Sequence, residues 1–320
     1  MKTLWVVAFA ACAAPMTARQ PSRSRVEYAH HHSQALGVDK TFLVYVPAGY
    51  DDAPAKRWPV FYYLHGLTSP ETEWVQVGKL DEAADTLHLG ALVVMPDADD
   101  GFYIDSATPI DYDACMRDGT GLFDTQADHD STCVHRRAYE TYIAKELVAH
   151  VDATYRTIAS REGRAIAGVS MGGYGALSIG LRHPDEYAAV ASHSGVATLL
   201  YSGPRPYVSG QVHVAPALAE RSAAKVIAHW TEILFGDDLA TWRAHDPAVL
   251  VESLPANAPA IYLDCGTEDK FVDEARFIDD RLTAHHVAHV AFFGPGNHDY
   301  AFWIPRLPHS LAFLRDHTGR

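Results

Sequence analysis

Short apolar segments alternate with longer segments of helical periodicity along most of the chain, and this alternation restricts the fold more than any other feature. The apolar segments are rich in Val, Ile, Tyr and Phe and cover residues 41–46, 60–64, 91–95, 165–168, 188–192, 260–264 and 290–293. Several are apolar throughout, as is typical of strands buried on both faces. Helical periodicity covers residues 139–155, 173–182, 215–230, 273–285 and 307–316. The order predicts an α/β domain with a mostly parallel central sheet and helices on both of its faces.

Two long segments, residues 97–133 and 196–216, interrupt this alternation. Loops of this length without secondary structure are uncommon in compact domains unless they form lids or binding walls. We therefore expect one domain with loop insertions. Aromatic residues in or near the insertions are candidates for a pocket wall, with ordinary packing as the alternative: Tyr103, Tyr112, Phe123, Tyr201, Tyr207 and Trp303.

The charge balance argues against one class of partner. The 320 residues include 26 Lys and Arg against 40 Asp and Glu, a net charge of −14 with His neutral. Because such a chain repels a phosphate backbone, we expect no nucleic-acid partner. No apolar segment reaches the roughly 20 residues that a membrane-spanning helix needs, so we also expect no transmembrane segment.

The N-terminal residues are typical of an export signal. Lys2 provides a positive start, residues 4–11 form an apolar run, and Ala11, Ala13 and Ala14 are small residues suited to cleavage. We assign residues 1–19 to a signal peptide and residues 26–320 to the folded domain, and we expect a periplasmic or secreted protein. Two alternatives stay open: a start that is never cleaved, and lipid attachment at Cys12.

Export would place the remaining cysteines in an oxidising compartment, where disulfides persist. Cys115 and Cys133 flank a stretch rich in Gly and Asp, and we expect them to form a disulfide. Cys265 ends an apolar run and is expected to be a buried free thiol. No two cysteines are spaced as Cys-x-x-Cys, so neither a zinc knuckle nor a redox motif is predicted.

A Gly-x-Ser-x-Gly motif at residues 168–172 lies between a predicted strand and a predicted helix. In that setting the motif is typical of a nucleophile elbow, a strained turn that exposes the serine hydroxyl. Ser170 is therefore the candidate nucleophile, and a glycine-rich turn with an incidental serine is the alternative. The helix N-terminus that follows favours a negatively charged oxygen, so the backbone N–H of Met171 is a candidate donor to an oxyanion.

A serine nucleophile needs a base and a carboxylate that orients the base. In folds with this elbow they follow in the order Ser, Asp or Glu, His. His298 lies in a turn rich in Gly and Pro after the last predicted strand and is the candidate base. Asp269, which follows the strand at 260–264, is the candidate acid; Asp264 and Glu268 are the alternatives.

The second oxyanion donor is expected in a loop after an early strand. His65 and Gly66 directly follow the strand at 60–64, so we assign this donor to the backbone N–H of Leu67 and a structural role to the His65 side chain. The histidines at 30–32, and at 285, 286 and 289, are poorly spaced for one metal ion, because neighbours in a strand point to opposite faces. We expect neither a metal nor a cofactor.

Together these motifs resemble the esterase D group of α/β hydrolases, which includes S-formylglutathione hydrolases, feruloyl and acetyl-xylan esterases and the antigen 85 mycolyltransferases. The resemblance extends from about Ser33 to about His317 and rests on residues 44–50, 63–66, 139–143, 165–173, 194–195, 264–269 and 296–298. It implies the α/β-hydrolase fold and places the nucleophile, acid and base of the group at Ser170, Asp269 and His298.

Two departures narrow the expected function. S-formylglutathione hydrolases are cytosolic and usually carry a cysteine where this chain has Ser69, and the mycolyltransferases use glutamate where this chain has Asp269. The resemblance then implies an exported serine carboxylesterase acting on a small-molecule or polysaccharide-linked ester, such as feruloyl or acetyl groups on plant polysaccharide. The alternatives are an acyltransferase with an alcohol acceptor and a catalytically silent carbohydrate-binding module.

Overall fold

The centre of the molecule is an eight-stranded sheet. The computed structural model describes residues 22–106, 108–119, 132–222 and 231–319. Within them the strands are β1 Arg25–Ser33, β2 Val38–Val46, β3 Val60–Leu64, β4 Leu92–Pro96, β5 Arg164–Val169, β6 Ala189–His193, β7 Tyr201–Ser202, β8 His213–Val214, β9 Ala260–Gly266 and β10 His289–Gly294. The sheet order is β1-β2-β4-β3-β5-β6-β9-β10, and β7 pairs with β8 separately. The β1–β2 and β2–β4 pairs are antiparallel and the other five pairs of the sheet are parallel, which confirms the predicted mostly parallel sheet.

All seven segments predicted to be strands lie in this sheet, and β1 is an addition that the sequence pattern did not predict. β1 forms one edge of the sheet, and its residues alternate between exposed and partly buried positions. Tyr28 in its middle is 65% exposed. An edge strand that faces solvent on one side needs no continuous apolar run, so its polar, histidine-rich sequence gave no strand signal.

Helices cover both faces of the sheet. They are α1 Glu73–Gln76, α2 Leu80–Thr86, α3 Tyr112–Asp118, α4, α5 Met171–Arg182, α6 Leu239–His245, α7 Pro247–Leu250, α8 Val272–Ala284 and α9 Tyr300–Asp316. Helix α4 runs through Tyr139–Thr141, a π-helical turn at Tyr142–Leu147 and Val148–Thr154. Four of the five predicted helices are confirmed. The prediction at 215–230 is wrong over residues 215–222, which form no α-helix: a 3₁₀ turn covers Leu218–Glu220, and the N–H groups of Ala215 and Ser222 donate to the carbonyl oxygens of Leu200 and Tyr201. Residues 223–230 lie outside the described residues.

Alternate residues of each inner strand pack into two apolar cores, one on each face of the sheet. In β3, Tyr62 belongs to the core under α4 and α5, together with Leu147 and Leu177. Its neighbour Tyr63 belongs to the core under α2 and α9, together with Leu80 and Leu311. Strands buried on both faces explain the continuous apolar runs in the sequence.

Each of the two insertions is stabilised by a specific residue pair. Cys115 and Cys133 form a disulfide, as predicted, and Cys265 is a buried free thiol. In the second insertion, Arg205 forms an ion pair with Glu274 on α8 at 2.5 Å. The predicted signal peptide, residues 1–19, lies outside the described residues. Among the helices that are described, none has the length and apolar character needed to cross a membrane.

Candidate active site

The turn between β5 and α5 holds Ser170 in a strained backbone conformation. Its φ of +55° and ψ of −115° lie in a region that residues other than glycine rarely adopt. A Cβ at Gly168 would lie 2.4 Å from the backbone of Gly172, and a Cβ at Gly172 would lie 2.4 Å from the carbonyl oxygen of Leu64. Both glycines are therefore required where α5 crosses the strands. The arrangement is that of the predicted elbow, with the Ser170 hydroxyl at the start of α5.

Ser170, His298 and Asp269 form one line of hydrogen bonds. The Nε2 atom of His298 lies 2.8 Å from Ser170 Oγ, and its Nδ1 atom lies 2.8 Å from Asp269 Oδ2. The Asp269 side chain is fully buried, whereas that of His298 is 16% exposed. Because the strands β5, β9 and β10 are parallel, the loops that follow them meet at one edge of the sheet. The structure thus brings together the three side chains that the sequence singled out.

Two aromatic rings hold the imidazole in place. The ring centroids of Phe271 and Trp303 lie 5.1 and 4.9 Å from that of His298, and both contacts are edge-on. The Trp303 indole N–H donates to Ser194 Oγ at 2.9 Å, which fixes the tryptophan in turn. The second oxygen of Asp269 accepts the backbone N–H of Phe271 at 2.8 Å. The two aromatic rings and the Asp269 carboxylate therefore orient the His298 imidazole from different directions.

The alternative acids have other partners. Glu268 accepts the backbone N–H of Gly296 at 2.5 Å and the hydroxyl of Thr267 at 2.9 Å, so it braces the loop before His298. Asp264 lies in β9 and its side chain is fully buried. Its two oxygens lie 2.9 and 3.0 Å from Nδ1 of His193.

Asp264 belongs to a second Ser-His-Asp set, which is inside the protein. The Nε2 atom of His193 lies 2.9 Å from Ser310 Oγ, and Ser310 also bonds the Tyr63 hydroxyl at 2.8 Å. Both His193 and Ser310 are 0% exposed. Arg306 approaches Asp264 to 3.5 Å. No substrate can reach this set, and its hydrogen bonds tie α9 to β6 and β9.

Hydrogen bonds from the residues before and after Leu67 hold the loop that follows β3. The N–H of Gly66 donates to Glu73 at 3.0 Å, and the N–H of Thr68 donates to Asp100 at 2.6 Å. Among the hydrogen bonds between described residues, the N–H groups of Leu67 and Met171 donate none. These are the two predicted oxyanion donors, and both residues border Ser170 or its pocket.

His65 has the structural role that the sequence indicated. Its Nε2 atom accepts the N–H of Ala98 at 3.0 Å, and its Nδ1 donates to the carbonyl oxygen of Gly66 at 2.8 Å. The Tyr103 hydroxyl donates to the carbonyl oxygen of His65 at 3.0 Å. The imidazole therefore fixes the loop after β3 and cannot serve as a base for Ser170.

A pocket of about 260 Å³ opens beside the Ser170 hydroxyl. Of the aromatic wall candidates, Trp303 lines it; Tyr112 instead stacks on His135, Tyr201 packs on Phe277, and Phe123 lies outside the described residues. The sequence reasoning missed Phe271, Lys270 and Glu73 as lining residues. Lys270 and Phe271 directly follow Asp269 in the sequence, and this position next to the candidate acid could have identified them as lining residues. The full lining is Gly66, Leu67, Thr68, Ser69, Glu73, Val169, Ser170, Lys270, Phe271, His298 and Trp303.

No group of three His, Cys, Asp or Glu side chains suited to a metal ion occurs among the described residues. In the histidine run, the ring of His31 packs on that of His150 in a tilted contact with centroids 4.6 Å apart, while His32 bonds Asp39 at 2.6 Å. His289 bonds Asp279 at 2.8 Å. His31, His32 and His289 thus each have a different partner.

Comparison with known proteins identifies the family. The Esterase family model matches residues 33–314. The chain belongs to the Esterase family. This esterase is 28% identical over 247 residues to the S-formylglutathione hydrolase of Paracoccus denitrificans (strain Pd 1222), which covers 76% of this chain and 75% of that protein. It is 27% identical over 259 residues to the S-formylglutathione hydrolase of Bos taurus, covering 79% of this chain and 78% of that protein.

Solved structures share the fold of this esterase. A ferulic acid esterase matches with a TM-score of 0.67 at 21% identity, over 93% of this chain and 100% of that chain. An S-formylglutathione hydrolase from Agrobacterium tumefaciens matches with a TM-score of 0.68 at 20% identity, over 94% and 100% of the two chains. The α/β-hydrolase fold is therefore confirmed. The family match, together with the S-formylglutathione hydrolase relatives, makes the protein a carboxylesterase.

Proposed function

We propose that this protein is an exported carboxylesterase that hydrolyses its substrate through an acyl-enzyme on Ser170. One observation carries the proposal: the hydrogen-bonded line from Asp269 through His298 ends at a serine hydroxyl that opens into a pocket. This is the arrangement that activates a serine for attack on an acyl carbon.

In the proposed reaction, His298 takes the proton of Ser170 as its oxygen attacks the ester carbonyl. The buried Asp269 carboxylate holds the tautomer of His298 that leaves Nε2 facing the serine, and it stabilises the imidazolium that forms. The imidazolium then protonates the departing alcohol, which leaves the acyl group on Ser170. Water, activated by the same imidazole, releases the acid and restores the serine.

The negative charge of each tetrahedral intermediate needs donors that are already in place. The N–H groups of Leu67 and Met171 fill this role in the proposal, since they have no other acceptor among the described residues. The Met171 N–H also stands at the N-terminus of the twelve-residue helix α5, where the helix dipole favours negative charge. Removing one such donor costs roughly 3–4 kcal/mol of transition-state stabilisation in enzymes of this type.

Export and substrate class form the finer part of the proposal. Two observations support an oxidising compartment outside the cytoplasm. The N-terminal segment has a positive charge near its start followed by an apolar run, and Cys115 and Cys133 form a disulfide. The pocket, lined by Phe271, Trp303 and Val169, suits a small acyl group such as acetyl or an aryl acyl group such as feruloyl. We propose such groups, esterified to polysaccharide, as substrates.

The proposal is tested by labelling the mature protein with a fluorophosphonate and locating the label by peptide mass spectrometry. We expect label on Ser170 that is lost in His298→Ala, together with hydrolysis of p-nitrophenyl acetate and methyl ferulate. A folded protein that takes no label would overturn the serine mechanism. Transfer of the acyl group to an added alcohol in preference to water would replace hydrolysis by acyl transfer.

A further inference from the structure

One charged side chain in the pocket has no role in the reaction described above. Glu73 lines the pocket together with Ser170 and His298. A Cβ placed on Gly66 would lie 3.7 Å from Glu73 Oε2 and 3.8 Å from the Cβ of Ser170. The carboxylate and the serine therefore both lie next to Gly66, close enough for a bound substrate to meet both.

The Glu73 carboxylate is fixed at this place by its partners. Its Oε2 atom accepts the N–H of Gly66 at 3.0 Å, and its Oε1 atom accepts the Ser69 hydroxyl at 2.6 Å. The Tyr300 hydroxyl lies beside it, and burial together with the neighbouring Glu73 charge raises the pKa of that phenol. A carboxylate bound in this way cannot swing into solvent to make room for another anion.

The positively charged side chain of the pocket acts on a substrate more weakly than Glu73 does. Among the described residues that line the pocket, Lys270 carries the charge opposite to that of Glu73, and this lysine is exposed to solvent. Its ammonium group lies 5.2 Å from the centroid of the Phe271 ring. Charges in solvent are screened by water and salt far more than charges that are partly buried. Of the two charged side chains in the pocket outside the Ser170–His298–Asp269 line, Glu73 therefore acts more strongly on a substrate than Lys270 does.

We propose that Glu73 is a specificity-determining residue, which makes this esterase select neutral esters over esters that carry a carboxylate near the scissile bond. The inference rests on the proposed function, because it assumes that esters bind in this pocket and react with Ser170. An anionic substrate would have to bring its charge into a partly desolvated space that already holds one negative charge.

The test compares two pairs of substrates that differ in charge and little else. For charge on the alcohol side, the pair is 4-acetoxybenzoate and its methyl ester. For charge on the acyl side, the pair is the p-nitrophenyl monoester of adipic acid and p-nitrophenyl hexanoate. The measured quantity is the selectivity ratio, which is kcat/KM for the anionic ester divided by kcat/KM for the neutral one. Chemical differences within a pair cancel when the ratio is compared between variants.

In Glu73→Gln the selectivity ratio is expected to rise about tenfold for at least one pair, which corresponds to about 1.4 kcal/mol. The pair that responds shows whether acyl group or alcohol faces Glu73. Glu73→Asp keeps the charge while it disturbs the bonds to Gly66 and Ser69, so its kcat should fall while its ratio stays close to that of the wild type. Lys270→Gln is expected to lower the ratio, by a smaller factor because of solvent screening.

Glu71→Gln is the matched control, since Glu71 is partly buried two residues away and does not line the pocket. Its ratio should match that of the wild type. If the wild type hydrolyses neutral esters and Glu73→Gln leaves both ratios unchanged, the inference is wrong while the proposed function stands. A wild type that hydrolyses no ester of either pair contradicts the proposed function itself. If Glu73→Gln does not fold, the wild-type ratios decide: a wild type that hydrolyses the anionic ester of both pairs as efficiently as the neutral one contradicts the inference.

Discussion

The backbone N–H of Ser170 donates to the carbonyl oxygen of His193 at 2.9 Å. Through this one bond the accessible serine is joined to the histidine of the buried Ser310–His193–Asp264 set. The bond holds the first residue of the elbow turn against the end of β6, where Ser170 has its positive φ. Because the backbone strain of the elbow must be balanced by surrounding contacts, the buried set stabilises the site without taking part in its chemistry.

The identity of the acid is tested by two neighbouring substitutions. Asp269→Asn removes the charge that faces His298 Nδ1 and favours the wrong tautomer, so kcat should fall by roughly three to four orders of magnitude. Glu268→Gln, the matched control, alters a bond to the loop before His298 and should have only a small effect on kcat. Steady-state kinetics with p-nitrophenyl acetate measure both. A larger loss in Glu268→Gln than in Asp269→Asn would assign the acid to Glu268.

The two serines of the Ser-His-Asp sets should behave in opposite ways. Ser170→Ala is expected to abolish turnover and fluorophosphonate labelling while leaving the stability nearly unchanged. Ser310→Ala leaves the Nε2 atom of His193 and the Tyr63 hydroxyl without the hydrogen-bond partner they share, which costs about 1–3 kcal/mol of the free energy of unfolding. Urea denaturation and labelling together separate the two effects. Label found on Ser310 in the native protein would show that the inner set is accessible after all.

Asp264→Asn should be the more damaging change in the inner set. It removes a fully buried charge between His193 and Arg306, and the loss of one partner from a buried charge pair typically costs about 3–5 kcal/mol. Asp269→Asn provides the comparison, since it should reduce activity far more than stability. Equal losses of activity without loss of stability in both variants would contradict the structural role of Asp264.

The sequence predicts a residue of the site when the neighbouring residues in the chain show a recognisable pattern around it. Ser170 lies in a motif whose neighbours dictate the turn, and Asp269 and His298 follow predicted strands that are mainly apolar, so their position at one edge of a parallel sheet can be inferred. Glu73 could not be found in this way. Its place beside Ser170 results from how the loop after β3 folds back, and a glutamate four residues after Ser69 has no distinctive spacing.

The errors also have physical causes. Residues 215–222 have helical periodicity, but tertiary hydrogen bonds from Ala215 and Ser222 to the β7 region decide their conformation. The aromatic residues in or near the insertions are candidates for the pocket wall only because of where the insertions lie in the sequence. Tyr201 instead fills a small core against Phe277, because an insertion needs an apolar anchor of its own before it can border a pocket.

Reduction of the disulfide should destabilise the protein. The bond between Cys115 and Cys133 closes a loop of 18 residues, and cross-links of this length contribute about 3 kcal/mol by restricting the unfolded chain. A Cys115→Ala/Cys133→Ala variant should therefore unfold at a lower temperature than the wild type under oxidising conditions and at a similar one after full reduction. Cys265→Ala is the control, because removing the buried free thiol should leave the response to reductant intact.

Glu140 on α4 predicts how stability depends on pH. Burial alone would raise its pKa, but hydrogen bonds from His183 and His245 and the charge of Arg182 outweigh burial and lower the pKa well below its ordinary value of 4.5. Its Oε1 atom lies 2.7 Å from His183 Nε2 and 2.9 Å from Arg182 Nε. The folded state therefore holds the ionised form. Glu140→Gln should lower the free energy of unfolding by about 3 kcal/mol at neutral pH.

Because the pKa of Glu140 is lower in the folded state than in the unfolded one, the unfolded chain binds the proton first as the pH falls. The stabilisation is complete above about pH 4.5 and declines below it, so the difference between wild type and Glu140→Gln should shrink by about 2 kcal/mol between pH 4.5 and 3. Urea denaturation over pH 5 to 3 measures this decline, in a range where unperturbed histidines stay protonated. Glu252→Gln is the control: Glu252 pairs with Arg281 but is 40% exposed, so its loss should cost less than about 1 kcal/mol. A difference for Glu140→Gln that is constant over this range would contradict the lowered pKa.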